Sequence, residues 1–332
     1  MEIIPVRWGV LGVASIATGR ALPPLAGSSH ARVAAIASRT KGKAEAAART
    51  LGVARVYGSY EELLEDPEIE AIYIPLPIPL HAEWTVRALE AGKHVLCEKP
   101  MAATAAEVEH MQQAASKAGR LLAEAFMLFS HPRIRALRAL VREGVIGRLG
   151  AVQFSFSNPN RDPQNIRNRP ETGGGALLDK GCYVLALARY LFDAEPDAVA
   201  AASDIDPAFG VDTMTAGIMR FGRGIASIDT SSAFEIQQRL VALGTEGSLS
   251  LDMPATPDPT QPTVIQIVNG SSLRTEQWAP CNQYRLMFDE VSAAIRGISE
   301  TPLPPAFSLG NARTLEAFVT AAREHRWVNL PA

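Results

Sequence analysis

Residues 173–183 read Gly-Gly-Gly-Ala-Leu-Leu-Asp-Lys-Gly-Cys-Tyr. If a helix starts within Ala176-Leu177-Leu178, Asp179 and Tyr183 are four residues apart and project from one face. Lys180 then points about 100° away. An acid in the first turn of an ordinary helix would account for Asp179, but three adjacent glycines exceed what a cap needs. They would let the backbone run close beneath a bound molecule. The second candidate is Glu98-Lys99-Pro100, directly after the apolar run His94 to Cys97. A lysine ending a buried strand faces a cleft, where desolvation pushes its pKa below the usual ~10.4, towards values useful in proton chemistry. Pro100 fixes the backbone behind it, and Glu98 is placed to pair with Lys99 or to contact a cofactor.

The elements that must position these groups change character along the chain. Up to about residue 126, short apolar runs alternate with helical segments. The runs are Val6–Leu11, Arg32–Ala37, Ala71–Ile74, His94–Cys97 and Leu121–Ala125. The helices are Ser15–Leu22, Lys41–Leu51, Tyr60–Leu64, His81–Ala91 and Ala105–Ala118. Such alternation predicts a parallel sheet covered on both faces. Beyond about residue 150, strands follow one another at 151–157, 199–202, 213–221, 225–231, 238–243 and 263–268. FGRG (221–224) and NGSS (269–272) read as hairpin turns, and helices return at 284–296 and 309–324. The expectation is an α/β protein with an N-terminal Rossmann domain over 1–126. A C-terminal α+β domain with an open, mostly antiparallel sheet follows over 127–332.

In an open α/β sheet, ligands bind outside the carboxyl ends of the strands. The first strand runs into Gly9-Val10-Leu11-Gly12-Val13-Ala14-Ser15-Ile16-Ala17. There Gly12 makes the tight turn, Ala14 stands where backbone must approach a pyrophosphate, and Ser15 and Ile16 open the helix whose N–H groups attract an anion. A plain strand-to-helix turn fits the same letters. The second strand ends Ala37-Ser38-Arg39-Thr40-Lys41, with Lys43 next. The carboxylate that would accept from an NAD ribose hydroxyl is absent, and hydroxyl and cation replace it. That favours NADP over NAD, with Ser38, Arg39 and Lys43 at the extra phosphate. Pro75 and Leu76 follow the third strand, and His81 caps or packs nearby, with contact to the cofactor left open.

Composition narrows the class. Of 332 residues, 47% are hydrophobic and 20% charged, and the net charge is −3 without a basic stripe. This excludes a nucleic-acid binder and fits a globular enzyme. No apolar run approaches a membrane span. Three separated cysteines (Cys97, Cys182, Cys281) argue for a reducing compartment, so the chain is expected to be cytoplasmic. The six histidines, at 30, 81, 94, 110, 131 and 325, lack metal-ligand spacing, and no metal is expected.

Taken together, the glycine turn, "AGKHVLCEKP", "EAFM…HP" and "NIRNRPETGGGALLDKGCY" resemble the Gfo/Idh/MocA family of oxidoreductases over nearly the whole chain. The resemblance is to the branch of glucose–fructose oxidoreductase, NADP-dependent xylose dehydrogenase and dimeric dihydrodiol dehydrogenase. It implies reversible hydride transfer between a nicotinamide and a hydroxyl-bearing carbon, usually on a sugar, and a homodimer or homotetramer formed through the C-terminal sheet. Lys99 would hydrogen-bond the reacting oxygen, Asp179 would be the second-domain acid, and Tyr183 the acid/base, its pKa lowered by the Lys99 cation. Arg167 and Tyr284 would reach the cofactor from the second domain. Departures are Pro77-Ile78-Pro79-Leu80-His81, where the family often has an Asn, and Lys180, where it is usually apolar. Lys180 is then either exposed or a second cation at the cleft. Two alternatives stand beside the sugar dehydrogenase: a trans-dihydrodiol-type dehydrogenase of cyclic alcohols, and a non-catalytic NADP-binding regulator.

Overall fold

A computed structural model describes residues 4–331. The chain forms two compact units. Residues up to 102, 106–130 and 282–309 make the first, and 103–105, 131–281 and the residues from 310 onward make the second.

The first unit carries an all-parallel sheet of six strands: β1 (Val6–Leu11), β2 (Ala31–Ala37), β3 (Arg55–Tyr57), β4 (Ala71–Ile74), β5 (His94–Cys97) and β6 (Leu122–Glu124). Their order is β3-β2-β1-β4-β5-β6. The order of the strands therefore reverses between β1 and β4, the arrangement of a dinucleotide-binding fold. Val10, Ile72, Tyr73, Leu96 and their neighbours are fully buried, which is why the central strands read as unbroken apolar runs. The expected five strands are present. The sixth, β3, lies at the sheet edge and is only three residues long, too short for an apolar pattern to register.

Helix α7 (Gln283–Ile295) belongs to this unit, whereas a division at 126/127 would assign it to the second. Aromatic packing is the cause. Phe288 meets Trp8 and Tyr73 edge-on at centroid distances of 5.1 and 5.2 Å, and the Trp8 indole N–H donates to Ser292 Oγ at 3.0 Å. Beyond the helix, Arg296 donates to both carboxylate oxygens of Glu70 at 2.7 and 3.1 Å.

The second unit is built on nine strands: β7 (Leu149–Ser157), β8 (Ala198–Ile205), β9 (Asp212–Phe221), β10 (Gly224–Ser231), β11 (Gln237–Gly244), β12 (Gly247–Asp252), β13 (Thr263–Asn269), β14 (Ser272–Trp278) and β15 (Val328–Asn329). All neighbours are antiparallel except β7 and β10, which run parallel. Glycines 222 and 270, at φ 55° and 57°, make the two expected hairpin turns. One sheet face buries Phe154, Met219, Ile228 and Leu240, and the other exposes Ile218, Ile225 and Leu243. Helix α6 (Cys182–Phe192) packs against β7 and β10. Among the described residues no helix is long and apolar enough to cross a membrane.

Candidate active site

The turn after β1 requires glycine. Gly12 sits at φ 102°, and its N–H donates to the Ala37 carbonyl at 2.8 Å. A Cβ there would lie 3.0 Å from Leu76 Cδ2 and 3.6 Å from the Tyr60 hydroxyl. The helix expected over 15–22 is brief. It runs from Ser15 to Ala21 and closes as a π turn, with the Leu22 N–H reaching the Ala17 carbonyl at 2.9 Å. Pro23-Pro24 then bend the chain into a 3₁₀ turn, Pro23–Gly27. The residue before the helix is Ala14, whose methyl group cannot cap it, and Ser15 is exposed. An uncapped helix start carries partial positive charge and N–H donors towards an anion.

Beside this turn, Ser38 is buried, with its Oγ accepting from the Thr40 N–H at 3.2 Å, while Arg39 and Lys43 are exposed. The Tyr60 hydroxyl borders the Gly12 turn, with the Arg39 cation nearby. Burial raises that phenol's pKa, and the Arg39 cation opposes the shift only in part. Tyr60 thus joins the end of β2 to the Gly12 turn. Nothing in the sequence singles it out, since it reads only as the first residue of a short helix.

At the ends of β4 and β5, a few side chains fasten the backbone. Pro75 is buried and Leu76 half-buried. His81 is fully buried: Nε2 meets the Leu76 carbonyl at 2.7 Å and Nδ1 the Pro100 carbonyl at 3.1 Å. Burial lowers its pKa, against the pull of the carbonyls of 76, 100 and 101. His81 therefore ties together the two loops that carry Leu76 and Lys99. The Lys99–Pro100 peptide is cis. Glu98 is also buried; the Tyr73 hydroxyl donates to its Oε1 at 2.5 Å and the Lys99 N–H to its Oε2 at 3.2 Å. Glu98 therefore orients the Lys99 backbone, and Tyr73, which the apolar run conceals, holds Glu98. Tyr284 is buried at the start of α7 and belongs to the first unit, not to the second as the resemblance implied.

In the second unit the space beside Gly174 and Gly175 is taken up by this chain itself. Gly173, at φ 74°, ends a 3₁₀ turn. A Cβ on Gly174 would lie 2.6 and 2.7 Å from the carbonyl oxygens of Arg167 and Arg169, and one on Gly175 would strike Asp212 Oδ1. The N–H groups of Gly174 and Gly175 donate to those same two carbonyls, of Arg169 and Arg167, at 3.0 and 2.9 Å. A π turn, Leu177–Gly181, follows and leads into α6. Asp179 lies in that wider turn and Tyr183 in the α-helix, so simple four-residue stacking on one helix does not describe the pair.

Arg167, expected at a cofactor, donates from Nε to Asp179 Oδ1 at 2.9 Å, and Lys180 Nζ lies 3.3 Å from Oδ2. Lys180 is only 4% exposed, which answers the choice between a surface and a cleft cation: it is a buried counter-ion. Tyr183 is buried, its ring 6.0 Å from that of Phe156.

Residues 6–126 match the model of an oxidoreductase family with an NAD-binding Rossmann fold, and 134–250 match the GFO/IDH/MocA C-terminal domain. The chain belongs to the Gfo/Idh/MocA oxidoreductase family. It is similar to an uncharacterized oxidoreductase, ORF334, of Rhizobium meliloti, with 42% identity over 97% of this chain and 98% of that protein. A D-xylose 1-dehydrogenase (NADP(+)) of Haloferax volcanii is 36% identical over 98% of this chain and 100% of its own length. Among solved structures, KijD10, a 3-ketoreductase from Actinomadura kijaniata in complex with NADP and TDP-benzene, superposes with a TM-score of 0.91. Its identity is 31%, over 96% of this chain and 98% of that one. This Gfo/Idh/MocA member therefore shares its fold with a 3-ketoreductase.

Proposed function

We propose that this protein is an NADP-dependent dehydrogenase or reductase acting on a sugar or polyol carbon that bears a hydroxyl or carbonyl group. The observation that carries the reading is the end of β2. Arg39 stands near Tyr60, whose hydroxyl borders the Gly12 turn, and no carboxylate stands between Ala37 and Lys43. The Gly12 cradle and the uncapped helix start fit a pyrophosphate, and Arg39 with Ser38 and Lys43 fits a 2′-phosphate. Pro75, Leu76 and the loop tied by His81 form the wall beside them. When bound, the dinucleotide supplies or accepts the hydride.

Around the reacting carbon, Lys99 donates a hydrogen bond to the substrate oxygen, on a backbone that Glu98 and Tyr73 hold still. Tyr183 gives or takes that oxygen's proton, and Asp179, gripped by Arg167 and Lys180, provides the neighbouring negative charge. Similarity to an NADP-dependent xylose dehydrogenase and to a ketoreductase in complex with NADP supports both the cofactor and the substrate class. The exposed sheet face bearing Ile218, Ile225 and Leu243 supports a homodimer or homotetramer through that face.

The decisive experiment is a pair of variants. Lys99→Met and Tyr183→Phe should each keep NADP affinity while lowering turnover by roughly two orders of magnitude. Full turnover in both would overturn the mechanism, and NADP binding with no turnover in the unaltered protein on any substrate would indicate a regulator. A panel of aldoses, polyols, keto-sugars and cyclic diols, followed by NADPH absorbance, separates a sugar enzyme from a dihydrodiol dehydrogenase. Light scattering of Ile225→Glu tests the assembly, with a fall to monomer expected.

A further inference from the structure

Asp212 opens β9, where the pairing of β8 with β9 shifts register between Asp204 and Ile205. Its Oδ2 accepts from the Leu177 N–H at 2.8 Å and from the Thr215 hydroxyl at 2.8 Å. Thr215 is fully buried, and its hydroxyl lies 2.7 Å from that of Ser203. Its other oxygen, Oδ1, presses so closely on Gly175 that no side chain fits there. The carboxylate therefore holds the start of the π turn carrying Asp179 and Lys180 through the Leu177 amide, while its Oδ1 fills the space a Gly175 side chain would need. The turn also holds a buried cation, Lys180. A buried charge is tolerated only with a partner: Lys180 Nζ has Asp179 Oδ2 at 3.3 Å, and the Asp212 carboxylate is near enough to act on the same cation electrostatically.

We propose that Asp212 is a positioning residue of the active site, which acts by capping the π turn and balancing Lys180 so that the Asp179 carboxylate stays in place. This rests on the roles given above to Asp179 and Tyr183. Burial raises the Asp212 pKa, and the Thr215 and Leu177 hydrogen bonds and the Lys180 cation resist that rise. The glycine at 175 then has a specific cause: it clears space for this carboxylate.

The cap and the charge can be separated. Asp212→Asn keeps an oxygen for the Leu177 N–H but removes the charge, and it should lower kcat about tenfold with NADP affinity unchanged. Asp212→Ala removes both and should lower kcat further. Lys180→Met should also cost about tenfold, and the double variant Asp212→Asn/Lys180→Met should lose clearly less than the product of the two. Wild-type kcat in Asp212→Asn, or losses that multiply in the double variant, would overturn the proposal. Should Asp212→Ala fail to fold, the Asn variant and the cycle still decide it. If Asp179→Asn and Tyr183→Phe retain full turnover, the assignment of the site fails instead, whatever Asp212 does.

Discussion

Gly12 and Gly175 each precede a π-turned helix, at φ 102° and φ 117°, but the two starts do opposite things. At Gly12 the space a side chain would fill borders Leu76 and Tyr60, and no side chain caps the helix. At Gly175 the equivalent space is filled by Asp212, whose second oxygen takes the Leu177 N–H. At the second start a carboxylate of the chain itself takes a donor, and at the first no side chain does. Glycine-rich helix starts thus look alike in sequence and differ in which atoms occupy the cleared space. Other starts in the second unit are also satisfied internally: His131 caps α5 (Pro132–Arg142), its Nδ1 accepting from the Arg133 N–H at 3.2 Å.

The sharpest way to break this comparison is Gly175→Ala. Its Cβ collides with a carboxylate at positive φ, so stability should fall by about 3 kcal/mol and Tm by roughly 10 °C. A Tm within 2–3 °C of wild type, about 1 kcal/mol, would mean that the space is not needed by Asp212. Next in size is Arg39→Asp at the open start. NADP should bind roughly 100-fold more weakly, about 2.7 kcal/mol, with NAD little affected. Equal losses for both dinucleotides, measured by fluorescence titration, would remove Arg39 from the phosphate site.

Acid tests the closed starts. Burial, and then the Arg133 cation, hold His131 at about 4, below the usual ~6.5 for histidine. The unfolded chain therefore takes up this proton first. The stabilisation is complete above pH ~6.5 and is lost as pH falls towards 4, by on the order of 2 kcal/mol. His131→Asn, which retains an acceptor for the Arg133 N–H, should flatten this part of the profile in urea melts between pH 7 and 4.5. Smallest is Gly12→Ala. The nearest obstacle is the flexible end of Leu76, so about 1 kcal/mol of stability should be lost, together with roughly tenfold in NADP affinity. A larger stability loss than in Gly175→Ala would invert the comparison.

Much of this was legible beforehand. Buried parallel strands announce themselves as apolar runs, which is why β1, β2, β4 and β5 and the residues at their carboxyl ends were readable. Two edge strands were not: β3 spans three half-exposed or exposed residues, and β14 is mostly exposed, so neither shows an apolar pattern. Lys99, Asp179 and Tyr183 stood out through residue type and neighbours. Tyr60, Tyr73 and Asp212 did not, because each acts through a partner far away in sequence, and Tyr73 looks like one more apolar strand residue.

By itself, the sequence determined the parallel sheet, the glycine turn, the cation in place of a carboxylate after β2 and the identity of the chemical groups. Those properties are set locally, by side-chain period, by backbone φ and by charge. Tertiary structure alone decided that α7 returns to the first unit, that Arg167 and Lys180 clamp Asp179, and what fills the space beside Gly174 and Gly175. Each of these depends on which distant atoms pack together, and Asp212, thirty-seven positions beyond Gly175, is the residue that makes the glycine there necessary.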